Sequence, residues 1–148
     1  MATLTITEDQ LHLIQRALDF YSRVGIGQFD AIKDHPTFEK HLHKEFELDG
    51  KTDYTRYHAV RDAVDNMLVQ PRNMLYNDNS IGRNGGWGIY NPKVDESCRE
   101  AFDLIQVIRH EFWKKNPKRS SITVDSSVHL HCKDSDKIKV ELEQNSNS

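Results

Sequence analysis

The segment from Asp95 to Lys115 restricts the fold more than any other part of the chain, because its apolar residues recur at helical spacing. Advancing by roughly 100° per residue places six side chains on one stripe: Cys98, Ala101, Phe102, Ile105, Ile108 and Phe112. Asp95 is suited to cap this helix, and the sequence "NPKR" after Lys115 ends it. We therefore predict a long amphipathic helix whose apolar stripe lies in the core.

Helical spacing predicts two further helices upstream. The first follows a capping box formed by Thr7 and Gln10, and its apolar positions are Leu11, Ile14, Leu18 and Tyr21. The second is expected to stop at Pro71, and its apolar positions are Tyr57, Val60, Val64, Met67 and Leu68.

Alternating apolar residues predict strands at both ends of the chain. They occur at residues 4–6, at residues 122–124 and over residues 128–142, where they predict a β-hairpin. Together with the helices, they predict an α+β fold in which three main helices pack on a small antiparallel sheet with a C-terminal β-hairpin. We expect a single α+β domain over residues 1–143 and a disordered tail over residues 144–148.

The composition is that of a globular protein and excludes several classes of function. Of the 148 residues, 36% are hydrophobic and 29% are charged, and no apolar run is long enough to span a membrane. The N-terminus lacks the pattern of a secretory signal. A net charge of -3 argues against general nucleic-acid binding. Cys98 and Cys132 form neither a metal-ligand spacing nor a disulfide framework, and Cys98 fits the core.

Arg109 lies inside the apolar stripe of the third predicted helix, where its guanidinium cannot lose its charge. Burying that cation without a partner is costly, which leaves a structural ion pair or a clamp on a ligand phosphate. Arg99, Gln106, His110 and Trp113 lie beside it along one polar and aromatic edge. Such an edge is either a solvated boundary of the helix or a surface for a nucleotide.

Four of the seven glycines lie between Gly82 and Gly88, within the connection from Asn77 to Pro92. This segment is either a long turn or hairpin or a nest of backbone N–H groups for an anion. In the second case Trp87 and Tyr90 stack on a base and Arg83 meets a phosphate. The asparagines that then read base edges are Asn77, Asn79 and Asn84. Trp87 has a second interpretation, in which it pins the loop to the core.

Catalysis has little support in the sequence. The pairs His41/His43 and His129/His131 are predicted to be solvent-facing strand histidines, and no carboxylate cluster suggests a two-metal site. We therefore predict no catalytic residue, no metal and no cofactor. The remaining alternative of this kind is a small nucleotide-processing enzyme in which His110 and Glu111 act as acid and base.

Three stretches carry a resemblance to a known family: "LDFYSRVGIGQFD", "NGGWGIYNPKVDESCREAFDLIQVIRHEFW" and "ITVDSSVHL". At these motifs the chain resembles small accessory proteins of tailed, T-even-type phages and prophages, over most of residues 1–130. The resemblance implies action in the cytoplasm of a bacterial host.

Small phage proteins of this class include sponges that capture nucleotide signals of host immunity. By that analogy we expect an anti-defence protein that sequesters a cyclic nucleotide or a cyclic ADP-ribose-like signal without cleaving it, as a homo-oligomer. The predicted ligand-binding residues are Arg83, Asn84, Trp87, Tyr90, Arg99, Gln106, Arg109 and His110. The alternative is an inhibitor that binds a host protein directly, and no membrane partner is expected.

Overall fold

A computed structural model describes residues 4–48, 50–83, 85–115, 117 and 140. Its helices are α1 (Glu8–Gly25), α2 (Pro36–Glu45), α3 (Tyr54–Tyr76) and α4 (Glu96–Lys115), with a 3-10 turn at Phe29–Ile32. Between α2 and α3, the two-residue strands β1 (Glu47–Leu48) and β2 (Lys51–Thr52) pair in antiparallel fashion. The chain forms two compact units: the first is Met1–Ser22 with Asp95–Ser148, and the second is Arg23–Val94.

The predicted α+β fold is wrong, because the described part of the chain is mostly helical. The short β1–β2 pair gives the helices no sheet to pack on. Residues 4–6 form no strand, and Leu4 is 73% exposed, so the alternation there buries nothing against a partner strand. The strand predicted at residues 122–124, the tail at 144–148 and the hairpin at 128–142 lie outside the described residues, apart from Val140, which is irregular.

The predicted helix starts in the first unit are confirmed. The backbone N–H of Thr7 donates to Gln10 Oε1 at 2.8 Å, and the N–H of Gln10 donates to Thr7 Oγ1 at 3.2 Å. This reciprocal pair satisfies N–H groups that the first turn of α1 leaves without helical partners. At α4, Asp95 Oδ1 accepts the N–H of Ser97 at 2.9 Å. Hydrogen bonds from the Ser97 hydroxyl and N–H lower the pKa of Asp95, so its charge faces the positive end of α4.

Within the first unit, α1 runs antiparallel to α4. Near the start of α1, Lys115 Nζ pairs with Glu8 Oε2 at 2.6 Å. The His12 ring stacks on Phe112 with centroids 3.9 Å apart. Toward the other end, the Ser22 hydroxyl donates to the carbonyl oxygen of Cys98 at 3.2 Å.

The core of this unit lies on α4 and includes most of its predicted apolar stripe. Cys98, Ala101, Ile105 and Ile108 are buried, and burial raises the pKa of the Cys98 thiol. Val107, Asp103 and Gln106 are buried on the other sides of the same helix. Half-buried side chains lie between these positions: Phe102, Leu104, Arg109 and His110. The buried polar residues must find partners or remain unpaired.

In the second unit, α3 turns a charged face inward. Arg61, Asp65 and Arg72 share one side of the helix, and Asp65 and Arg72 are 4% and 1% exposed. Lys33, which follows the 3-10 turn, pairs with Asp65 Oδ2 at 2.5 Å, while Arg61 pairs with Asp34. The opposite side is solvent-exposed and includes Met67, which the sequence pattern assigns to the apolar packing face. The prediction is wrong for Met67, whereas Tyr57 of the same pattern is buried on the packed side beside the charged residues.

Pro71 does not stop α3, contrary to the prediction. A proline removes one backbone hydrogen bond and crowds the preceding turn, but the turn after it is held by side chains. The Tyr76 hydroxyl donates to the carbonyl oxygen of Val24 at 2.7 Å, and Arg72 bonds the following loop. The helix ends at Asn77, whose φ of 48° is left-handed.

The first histidine pair lies on a helix rather than on a strand. His41 and His43 belong to α2, where residues two apart point to nearly opposite sides. His43 packs against the Tyr57 ring with centroids 4.5 Å apart. His129 and His131 lie outside the described residues.

Over the described ranges, no helix combines the length and the apolar character that crossing a membrane requires.

Candidate functional site

The glycine-rich segment of the second unit is built around the buried guanidinium of Arg72. Arg72 Nη2 donates to the carbonyl oxygen of Ile81 at 2.7 Å, and Nη1 donates to that of Gly82 at 3.0 Å. The carbonyl oxygens of Arg83 and Gly85 lie 3.2 and 3.4 Å from Nη1. Five N–H donors in a planar fork allow one side chain to meet this many acceptors.

The carbonyl groups of this segment therefore face a cation that belongs to the protein itself. An anion nest needs the reverse arrangement, with successive N–H groups converging on the ligand. Around Arg72 the described part of the segment presents oxygen atoms instead. This arrangement favours a structural turn over a phosphate-binding loop, and a residue outside the predicted set holds the turn in place.

Trp87 is held by contacts within its own unit. Its backbone N–H donates to the carbonyl oxygen of Ile26 at 2.8 Å, and its indole Nε1 donates to Asp78 Oδ2 at 3.1 Å. The Tyr76 ring meets the indole edge to face at 4.4 Å, and Lys93 Nζ lies 5.1 Å from the indole centroid. These contacts fit the interpretation in which Trp87 pins the loop, and they occupy much of the ring that base stacking would need.

The residue before Trp87 must be a glycine for this arrangement. A Cβ atom on Gly86 would lie 2.7 Å from the Ile26 carbonyl oxygen and 2.8 Å from Gln28 Cγ. The backbone of the loop approaches residues 26–28 more closely than any side chain permits. Glycine is therefore required by contact at this position.

Asp78 supplies the negative charge beneath the indole. Its carboxylate accepts hydrogen bonds from the hydroxyl and the backbone N–H of Ser80, and Lys93 Nζ lies 2.9 Å from its Oδ2. These hydrogen bonds, with that of the Ser80 hydroxyl foremost, hold the pKa of Asp78 well below its usual range. The carboxylate and the Lys93 ammonium form an ion pair beside the indole.

The other predicted loop residues differ in their surroundings. The exposed Arg83 side chain pairs with Asp62 Oδ1 at 2.7 Å. Tyr90 is 42% exposed, and Asn79 is also exposed. Asn77 terminates α3, and Asn84 lies outside the described residues.

The helix residues of the predicted site belong to the first unit. Arg109 Nη2 lies 3.1 Å from Asp19 Oδ1, which is the ion pair that one of the two interpretations requires. The His110 ring stacks on that of Trp113, with centroids 5.6 Å apart and planes inclined by 20°. Arg99 is half-buried at the start of the same edge.

Gln106 has the least satisfied side chain on this helix. It is 2% exposed, and neither its Nε2 nor its Oε1 has a hydrogen-bond partner. The predicted residues thus fall into two groups, Arg83, Trp87 and Tyr90 in one unit and Arg99, Gln106, Arg109 and His110 in the other. A pocket shared by the two groups stays a prediction.

Arg72 is the residue that the sequence pattern did not reveal. If the helix ended at Pro71, Arg72 would lie in a loop. Because the helix continues past Pro71, Arg72 lies two turns after Asp65 on the same packed side. Its position five residues before Asn77, where the glycine-rich segment begins, is a signal that could have identified it.

Within the described ranges, no three His, Cys, Asp or Glu side chains are grouped so that they could hold a metal ion. Searches of protein-family models, of curated proteins and of solved structures found no match to this chain.

Replacing Arg72 with Lys tests whether the guanidinium fork holds the loop. Lysine keeps the charge but has only three donors at one atom, so several buried carbonyl groups lose their partner. Because each such group costs about 1–3 kcal/mol, we expect the free energy of unfolding to fall by about 3 kcal/mol in a urea titration. Arg83→Lys is the control, since its exposed ion pair contributes at most about 1 kcal/mol. Equal stabilities of the two variants would contradict this role.

Replacing Gly86 with Ala tests the close approach of the loop to residues 26–28. The added Cβ overlaps a backbone carbonyl, and we expect a loss of about 1–3 kcal/mol, as for other overpacked sites. Gly88→Ala is the matched control, because a Cβ there meets no atom within 4 Å. Thermal unfolding followed by circular dichroism compares them, and a Gly86→Ala protein as stable as the Gly88→Ala protein would refute the contact.

A double-mutant cycle decides between the two roles of Arg109. We expect Arg109→Ala and Asp19→Ala to be coupled by about 0.5–1 kcal/mol in the free protein, because the pair is only partly exposed. Urea titrations of the wild type, both single variants and the double variant give this coupling energy. Zero coupling, combined with loss of nucleotide binding in Arg109→Ala alone, would instead identify a phosphate clamp.

Proposed function

We propose that this protein binds a nucleotide-type ligand and holds it without cleaving it, through the edge of α4 that contains Gln106. The observation that carries the proposal is the buried Gln106 amide with an unpaired donor and an unpaired acceptor. An unpaired buried polar group costs about 1–3 kcal/mol. Such groups are uncommon in folded proteins and call for an explanation, of which a missing ligand is one.

The chemistry of the amide suits the edge of a nucleobase. Its Nε2 carries two donor hydrogens and its Oε1 accepts, side by side in one plane. A base edge that offers an acceptor beside a donor, as adenine does, pairs with such an amide through two parallel hydrogen bonds. A single bound base would therefore satisfy both unpaired atoms of Gln106.

The neighbours of Gln106 on α4 add the other groups that a nucleotide needs. His110 and Trp113 follow four and seven residues later on the same side, and their stacked rings offer aromatic surface. Arg99 lies seven residues before Gln106 and supplies a cation for phosphate. Arg109 already pairs with Asp19, so any contribution it makes to phosphate binding is shared with that carboxylate.

The biological role within this proposal comes from the resemblance to phage accessory proteins. On the strength of that resemblance, the proposal is that the protein acts in the cytoplasm of a bacterial host and that its ligand is an immune signal such as a cyclic nucleotide or a cyclic ADP-ribose derivative. Capture without cleavage accords with a sequence that offers no nucleophile, metal or paired-carboxylate motif. The outcome of such capture is that the host defence loses its signal.

Replacing Gln106 with Met tests the proposal in two ways at once. Methionine has a similar shape and no unpaired donor, so the free protein should gain about 1 kcal/mol or more in unfolding free energy. The same change should abolish binding of the nucleotide that the wild type selects from a panel of cyclic mononucleotides, cyclic dinucleotides and cyclic ADP-ribose. Isothermal titration calorimetry measures the binding, and urea titration measures the stability.

Gln15→Met is the matched control, because it makes the same change at a half-buried position of α1 and should leave binding intact. Heating the complex should release the ligand unaltered, as mass spectrometry can establish. Altered ligand would replace the proposal with the enzyme alternative, and a wild-type protein that binds no member of the panel would overturn it.

A further inference from the structure

The outward side of α3 bears two large apolar residues that stay exposed within the described part of the chain. Met67 and Met74 are 67% and 77% exposed. On the inward side of the same helix, Asp65 and Arg72 are buried. Tyr57 is also buried on the inward side, so both sides of the helix carry apolar residues. An exposed apolar stripe marks an interaction surface.

The stripe has the spacing of a helix–helix seam. We define the α3 face as five exposed residues at intervals of four, four, three and four: Ala59, Ala63, Met67, Gln70 and Met74. These intervals keep the residues on one side of a helix over four turns, as in the contact line of two packed helices. The unbranched methionines adapt their shape to the surface they meet.

We propose that the α3 face is the surface on which a second copy of this chain docks, with the two α3 helices antiparallel and Met67 near the two-fold axis. This inference does not depend on the nucleotide proposal. In a two-fold contact, residue i of one copy meets residue j of the other and the reverse also holds. Ala59 then faces Met74, Ala63 faces Gln70, and Met67 faces Met67 of the second copy.

In this register, each long side chain away from the two-fold axis faces a small side chain of the second copy. Met74 enters the space left by Ala59, and Gln70 lies over Ala63. A parallel arrangement would set Ala59 against Ala59 and Met74 against Met74, which leaves a gap at one end and crowding at the other. Cores and interfaces lose stability from gaps and from crowding alike.

Charge complementarity favours the same register. Arg56, exposed in the first turn of α3, comes to face residues 77–78 at the far end of the second copy's α3. That end carries the negative pole of the helix. By symmetry the attraction occurs at both ends of the seam.

Cross-linking tests the register directly. A mixture of Ala59→Cys and Met74→Cys proteins, treated with a short bis-maleimide, should give a mixed dimer linked between residues 59 and 74, identified by peptide mass spectrometry. Met67→Cys alone should link to itself. Wild type gives the background of the native cysteines, and Leu13→Cys, which is exposed on α1, should give no added product. Efficient linkage of Met74→Cys to itself would overturn the antiparallel register.

The oligomeric state provides the second test. Light scattering coupled to size exclusion should give the mass of two chains for the wild type and for Leu13→Glu, and the mass of one chain for Met67→Glu/Met74→Glu. Circular dichroism checks that the double variant keeps its helices, as expected for two exposed positions. A monomeric wild type would overturn the proposal. So would a dimer that the double variant preserves, or a monomer that uses this face to bind a host protein.

Discussion

The structure of the second unit depends on one buried guanidinium, that of Arg72, which needs hydrogen-bond acceptors around it. Arg72 cannot lose its charge, and its exposed fraction is 1%, so the surrounding backbone must supply oxygen atoms. The carbonyl groups of residues 81–85 do so, which fixes the course of the loop. Once the loop turns around Arg72, its next residues reach the segment at Ile26, where only Gly86 fits and Trp87 is anchored. Gly86 and Trp87 thus serve a single structural purpose.

The same requirement accounts for the outward position of Met67 and Met74 on α3. A helix that turns arginine and aspartate inward cannot turn its methionines inward as well, because the two sets lie on opposite sides. Pairing keeps the buried charges tolerable, since Lys33 meets Asp65 and the loop carbonyls meet Arg72. The apolar residues are left outside, where water contact is unfavourable until another surface covers them. Internal ion pairing and exposed methionines are in this way two consequences of one helical pattern.

Local sequence rules predicted those parts of the fold that depend on neighbours along the chain. The Thr7–Gln10 capping box, the start of α4 at Asp95 and the burial of Cys98 all follow from spacing within one or two turns. The rules failed where distant groups decide the outcome. Pro71 is tolerated inside α3 because Arg72 and Tyr76 are held by remote carbonyl groups. Residues 4–6 alternate like a strand yet form none, because a strand needs a partner that the local sequence cannot specify.

For the candidate site, the sequence could identify the residue types. It could not show which of these side chains find an ion-pair or hydrogen-bond partner. Arg109 and Gln106 lie three residues apart on α4 and both belong to the predicted ligand-binding set, yet the structure separates them. Arg109 meets Asp19, so its position in the stripe is explained without any ligand. Gln106 is buried, and neither of its amide atoms has a partner among the described residues. The proposed binding of a base rests on this difference, because an ion pair accounts for the arginine and no described contact accounts for the glutamine.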